Sequence, residues 1–254
     1  MDHVQHAPRR NAVSAAEWAA RVDLAGAHRM AAINRWTDLI FNHFTVRIPD
    51  EPDHFLIKRH PLLFEEVTAS NLVKVNIEGK PVGVDEDVNL AGFVIHSAVY
   101  KARSDINAVM HLHSQAGTAI SARKDGLRCL SQEAMQFYNR VSYHDFEGIA
   151  LDTDECGRLG RDLGRNKSMI LRNHGLLTCG DTVADAALTL RTLIMSAETQ
   201  LQVEATGAAI NEPPPEVCER TALQFEALAK KHGRRAEWQG MLRWLDRTDS
   251  SYRN

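Results

Sequence analysis

The sequence predicts one α/β domain arranged around a mixed or antiparallel sheet. Three observations predict it. Short segments with β character cluster before and between stretches of helical periodicity. No internal repeat or long low-complexity run divides the 254 residues, a length that one domain can fill. Hydrophobic residues make up 44% and charged residues 25%, enough apolar mass for a real core.

Residues 1–13 are polar, include Pro8-Arg9-Arg10 and show no periodicity, so a loose tail is expected. Ser14-Ala15-Ala16-Glu17 has the pattern of a capping box. Trp18, Val22, Ala25 and Met30 then mark the stripe of a helix running to about Trp36. Segments with β character follow at 41–48, 54–58 and 72–77, the first two separated by Pro49-Asp50-Glu51-Pro52-Asp53. In the third, Val73, Val75 and Ile77 alternate with polar residues. Ile95, Ala98, Val99 and Ala102 place a helix at 93–103, residues 106–113 return to strand, and 115–123 form a short helix stopped by Asp125-Gly126. Residues 169–179 read as one further strand with Gly175 inside it. Asp181 is the expected N-cap of the longest helix, whose stripe runs Val183, Ala187, Leu190, Ile194, Ala197, Leu201 to a stop at Gly207. Glu212-Pro213-Pro214-Pro215 breaks the chain before a final helical segment ending at Tyr252. The expected organisation is a tail at 1–13, a domain at 14–210, and a helical extension at 211–254 packed on the domain or a neighbouring subunit.

Thirty Lys and Arg against 33 Asp and Glu give a net charge of −3, which argues against binding nucleic acid through its phosphates. No apolar run approaches the roughly 18 residues of a membrane span. Residues 1–10 lack an apolar signal segment, so a cytoplasmic protein is expected. Cys129, Cys156, Cys179 and Cys218 are far apart and read as reduced thiols.

Histidine is the unusual component, with 12 residues. In Met110-His111-Leu112-His113 the two imidazoles lie two apart on a strand and project from one face, a geometry suited to sharing a cation. Two histidines satisfied by the protein are the alternative. Arg172-Asn173-His174-Gly175 adds a third imidazole beside a glycine, where backbone can approach closely. A strand-end histidine bonded to backbone is the alternative there. Three imidazoles together would leave a metal with open positions, as catalytic sites do.

The runs GFVIHSAVYKARSDINAVMHLHSQAG, LSQEAMQFYNRVSYHDFEGIAL and MILRNHGLLTCGDTVADA, with FLI…LLFEEVTASNLVKV upstream, resemble the class II aldolase/adducin family over about residues 14–207. The likeness is greatest to its adducin-head-like bacterial branch. The resemblance implies a single-domain α/β/α sandwich with a central, mainly antiparallel or mixed sheet. It also implies a homotetramer with active sites between subunits. His111, His113 and His174 would bind a divalent metal, zinc first, with iron(II) or manganese(II) as alternatives. In family aldolases that metal grips carbonyl and hydroxyl oxygens and stabilises the enediolate.

Two departures limit the analogy. The acid/base Glu of the sugar-phosphate aldolases corresponds to Gly92 in Asn89-Leu90-Ala91-Gly92-Phe93, and losing such a group typically costs ~10²–10⁴-fold in rate. The family's phosphate-binding loops correspond to Phe41-Asn42-His43-Phe44, Lys58-Arg59-His60-Pro61 and Leu90-Ala91. Most of their backbone donors are lost, so a phosphorylated substrate is not expected. Glu133 is the candidate substitute base, with a surface glutamate as the alternative. Tyr138 is a candidate donor to an oxyanion, with a packing tyrosine as the alternative. Tyr252 is a candidate to reach a neighbouring subunit's site, as a C-terminal tyrosine does in the family. His144 is expected to be structural, bonded to Asp145 or backbone, and His96 and Tyr100 to pair on their helix. Three functions follow: a metal-dependent aldolase or decarboxylase acting on a small non-phosphorylated carbonyl or hydroxy compound; an Fe(II)-dependent oxygenase; or a non-catalytic, adducin-head-like oligomerisation module.

Overall fold

A computed structural model describes residues 10–83, 87–148 and 153–254. Helix α1 (Ala15–Ile33) leads into β1 (His43–Ile48), β2 (Glu51–Ile57) and β3 (Val73–Asn76). Next come α2 (Leu90–Ala102), β4 (Ala108–Leu112), α3 (Gln115–Ser121), α4 (Gln132–Met135), β5 (Val141–His144) and α5 (Thr153–Leu163). The chain continues through β6 (Ser168–Leu171), β7 (Gly175–Gly180), α6 (Val183–Ala205), α7 (Pro215–His232) and α8 (Arg235–Thr248). The strands form one seven-stranded sheet in the order β3-β2-β1-β4-β7-β6-β5. Among the described strands β5 and β6 run parallel, and every other pairing is antiparallel. The expected mixed sheet is therefore observed.

Strand alternation divides the core into two layers. Phe44, Val46, Ile48, Ala108, Met110 and Leu112 enter one face and pack with apolar residues of α1, α6 and α8. Phe55, Ile57, Val109, Leu177 and Cys179 enter the other, against α2 and α5. Helices thus cover both faces, giving the α/β/α sandwich. The C-terminal helices pack on their own chain. Arg140 makes two hydrogen bonds to Glu219 of α7, at 2.9 and 2.7 Å, and Trp238 of α8 donates to Asp23 of α1 at 2.8 Å.

Several local expectations need correction. Residues 1–9 lie outside the described residues, while Arg10–Ala12, placed in the loose tail, form a 3-10 turn. Ser14 caps α1 by accepting from the Glu17 N–H at 3.0 Å. The Glu17 carboxylate pairs with Arg21 and Lys74 instead of completing the capping box, because its side chain turns away from the exposed helix end into a buried site beside both cations. The single strand expected at 169–179 is a hairpin, β6 and β7. Asn173 takes a left-handed φ of 55° at its turn, a conformation that asparagine tolerates better than most residues. Thr182, not Asp181, caps α6 through a hydrogen bond from the Asp185 N–H at 3.1 Å; Asp181 pairs with Lys167. β5 and α5 were not anticipated. β5, with four residues, is too short to show a period, whereas α5 does carry an apolar stripe, Cys156, Leu159 and Leu163, at helical spacing.

His28 lies wholly buried on α1 between Phe44 and Phe64, with Nδ1 2.8 Å from the Leu24 carbonyl oxygen. Burial lowers its pKa to about 3. Unfolded, the ring protonates near pH 6.5, so its contribution to stability is present above that pH and lost as pH falls toward 3. The loss is about 1 kcal/mol per pH unit. Urea unfolding at pH 7 and 5.5 should therefore show a steeper loss for the parent protein than for His28→Leu; identical slopes would contradict this.

Candidate metal centre

Strand pairing sets the site. β1 and β4 run antiparallel with His43 opposite His111 and Phe44 opposite Met110. Since Phe44 and Met110 enter the α1/α6 layer, His43 and His111 face α2. His113 follows directly after β4 and keeps the side of His111. His174 arrives from the β6–β7 turn, which Leu171 and Gly175 close as ladder partners. That turn is held by the Asn173 N–H donating to the Ser121 carbonyl at 3.1 Å and the Arg172 N–H donating to the His144 carbonyl at 2.8 Å. Gly175 permits the approach: a Cβ there would stand 2.5 Å from the Leu112 carbonyl oxygen and 3.0 Å from His113 Cδ2.

The three imidazoles form a nearly equilateral triangle, with ring centroids 4.8, 4.7 and 4.7 Å apart. One nitrogen from each lies within 4.8 Å of the others. Outer contacts select the tautomers. His111 Nδ1 lies 3.0 Å from the Leu176 carbonyl oxygen, and His113 Nδ1 lies 3.4 Å from an Asp38 carboxylate oxygen. With the proton on each Nδ1 that faces an acceptor, the Nε2 atoms of His111 and His113 face one another at 2.9 Å as two lone pairs able to share a cation; with a proton on either Nε2 the same contact is an N–H···N hydrogen bond. The spacing is a little below the ~3.3 Å edge of a tetrahedral zinc shell with Zn–N of 2.0–2.1 Å. The carboxylate–histidine contact is one that outer groups commonly make behind metal ligands.

Burial, before any other cause, holds the pKa of His111 well below the ordinary imidazole range and lowers that of His113 against the pull of Asp38. Burial and the neighbouring His113 bring His174 to about 4. At neutral pH all three rings are therefore uncharged and present lone pairs. The donor set fits a divalent ion.

The triangle opens on a cavity of about 570 Å³, whose walls include Asp38, Phe41, Asn42, His43, Gly92 and Phe146. Asp38 is the one carboxylate among the described residues lining it, and no Lys or Arg is among them. Glu133 is exposed in the first turn of α4, and Tyr138 is half-buried after it; neither lines this cavity. Tyr252 does not point outward to a neighbour. It is wholly buried, and its hydroxyl donates to Asp246 at 2.7 Å, because the last turn folds back on α1 and α8. His144 bonds Asp162 at 2.6 Å, not Asp145, and His96 and Tyr100 meet at the Thr45 hydroxyl, at 2.6 and 2.8 Å. Asp38 and His43 are site residues that sequence spacing left unmarked, since tertiary folding alone brings them to the triangle.

Fold and site together define an α/β/α protein with a three-histidine centre open to a cavity. Residues 22–201 match the Class II Aldolase and Adducin N-terminal domain. The chain is 41% identical over 246 residues to a putative aldolase class 2 protein of Pseudomonas aeruginosa, covering 95% of this chain and 94% of that one. The crystal structure of an aldolase II superfamily protein from Pseudomonas syringae superposes with a TM-score of 0.91 at 46% identity, covering 96% and 99% of the two chains. An L-fuculose 1-phosphate aldolase from Glaciozyma antarctica superposes with a TM-score of 0.83 at 28% identity, covering 94% and 93%. The chain belongs to the class II aldolase and adducin N-terminal domain family.

Proposed function

We propose that this protein is a metal-dependent lyase, of aldolase or decarboxylase type, acting on a small non-phosphorylated carbonyl or hydroxy compound. The observation that carries the reading is the convergence of three neutral imidazoles, His111, His113 and His174, on the wall of an open cavity. A divalent ion bound there, zinc in the first instance, supplies Lewis acidity that polarises a substrate carbonyl and stabilises the negative charge that develops. The protein's part is to hold the three rings neutral and aimed, with Leu176 and Asp38 fixing two of them. Phe41, Ile95 and Phe146 supply apolar wall beside the reacting oxygens. The lack of a cationic side chain among the described lining residues supports a substrate without phosphate. Asp38 is engaged by His113, and Gly92 carries no acid–base group. Decarboxylation suits such a site, since loss of CO₂ yields an enolate with no base required.

The exposed apolar residues Leu39 and Phe146, 71% and 55% accessible, lie at Asp38 and in the cavity wall. They support association of copies around the site, which we take as a homotetramer of a cytoplasmic protein. In that assembly Glu133 and Tyr138 of a neighbouring copy are the candidates for the missing acid–base group. The reading is tested by loading the protein with zinc, iron(II) or manganese(II) and supplying non-phosphorylated hydroxy- and oxo-acids. Aldehyde or CO₂ release without oxygen uptake is expected. Substrate-dependent oxygen consumption by the iron form alone would replace the lyase with an oxygenase, and inactivity of every form would favour an assembly module.

A further inference from the structure

His43 is the least satisfied polar side chain in the cavity wall. It is 4% exposed, and among the described residues neither ring nitrogen reaches good hydrogen-bond geometry, the Gly92 backbone offering one of them only a weak contact. Its neighbours offer little. His96, tilted against it with ring centroids 4.5 Å away, commits Nδ1 to the Thr45 hydroxyl, and its Nε2 is itself unpaired among the described residues. His111, with ring centroids 5.6 Å away, commits Nδ1 to Leu176 and turns Nε2 toward His113. A buried polar group left without a well-formed hydrogen bond is costly, so this imidazole, with at least one nitrogen unpaired, calls for a partner from outside the chain.

The position of the ring is equally informative. A Cβ placed on Gly92 would stand 2.2 Å from His43 Cε1, 2.4 Å from Nδ1 and 2.7 Å from Nε2. The imidazole thus occupies the space that any side chain at position 92 would take, and glycine there is a steric requirement of His43. The two residues act as one feature: α2 gives up a side chain where β1 inserts a ring, beside His111 and in the wall of the cavity.

We propose that His43 contacts the substrate: seated in the notch left by Gly92, its imidazole hydrogen-bonds an oxygen of a small hydroxy-carbonyl compound held at the three-histidine centre. A neutral imidazole offers one donor and one acceptor, so it can serve a hydroxyl or a carbonyl oxygen. The proposal rests on the metal reading of His111, His113 and His174, and the experiment separates the two. The full-length protein is loaded with cobalt(II), and oxalate, a chelating pair of oxygens, is titrated while the visible absorption of the cobalt is followed. His43→Leu should take up one cobalt per chain like the parent and bind oxalate about 10-fold more weakly. His43→Gln, whose amide restores a donor and an acceptor, should recover part of that loss. Gly92→Ala, which displaces the ring, should weaken oxalate binding with cobalt uptake retained. Parent-like oxalate affinity in both His43→Leu and Gly92→Ala overturns the proposal and leaves the metal site standing; should His43→Leu not fold, Gly92→Ala decides alone. A cobalt-loaded parent that ignores oxalate also overturns it. A parent that takes up no cobalt overturns the metal reading and the proposal with it.

Discussion

Replacing His113 by alanine is expected to abolish stoichiometric metal uptake while leaving the fold standing. His113 supplies one of the three imidazoles whose nitrogens converge among the described residues, and the two that remain hold an ion far more weakly. Its ring is 28% exposed and sits just beyond the end of β4, so truncation opens no sealed core cavity and the metal-free stability should change by under about 1 kcal/mol. Asp38→Asn supplies the scale. It weakens a contact behind a ligand, and such changes typically cost 10–100-fold in metal affinity; His113→Ala should exceed that range. Competition titration against a chromophoric chelator measures both. Parent-like affinity in His113→Ala would remove His113 from the site.

Gly175→Ala should damage stability and the metal site together. The added methyl group meets a backbone oxygen, that of Leu112 at 2.5 Å, and a carbonyl in a paired strand cannot swing away as a side-chain tip can. Overpacking of this kind costs typically 1–3 kcal/mol, which in a chain of this size lowers the melting temperature by several degrees. The same methyl group presses on His113 and lies next to His174 in sequence, so the triangle spreads and metal affinity should fall at least about tenfold. Gly157→Ala is the control. It lies in α5 with nothing within 4 Å of the added carbon, and alanine there should be neutral or stabilising by up to about 1 kcal/mol. Equal behaviour of the two variants in calorimetry and metal titration would contradict the account.

The metal triangle was legible in the sequence because two of its members lie two apart on a strand, and strand geometry alone puts them on one face. The third carried a weaker mark, Asn173-His174-Gly175, and its setting was misread. The apolar run on either side suggested one strand, whereas the left-handed Asn173 turns it into a hairpin. An asparagine before a histidine and a glycine is a turn signal that apolar residues on both sides obscured. The alternating β segments gave the antiparallel half of the sheet. The four-residue β5 is too short to show a period, and its parallel partner β6 was merged with β7. Asp38 and His43 could not be placed from spacing, because what joins them to the site is the β1–β4 register and the path of the chain before β1. Tyr252 shows the opposite error. A tyrosine near a chain end invites an outward role, but an aromatic ring on an amphipathic C-terminal segment also buries well against that segment's own domain.

The central claim is that His111, His113 and His174 jointly bind one divalent ion and leave part of its shell open. Elemental analysis of the purified protein, joined to X-ray absorption at the edge of whichever metal is found, tests it most directly. The account predicts about one ion per chain with three imidazole nitrogens near 2.0–2.1 Å, for zinc, and a remaining light-atom ligand. Protein that stays metal-free after incubation with zinc, iron(II) and manganese(II), or an ion bound through sulfur, would contradict it.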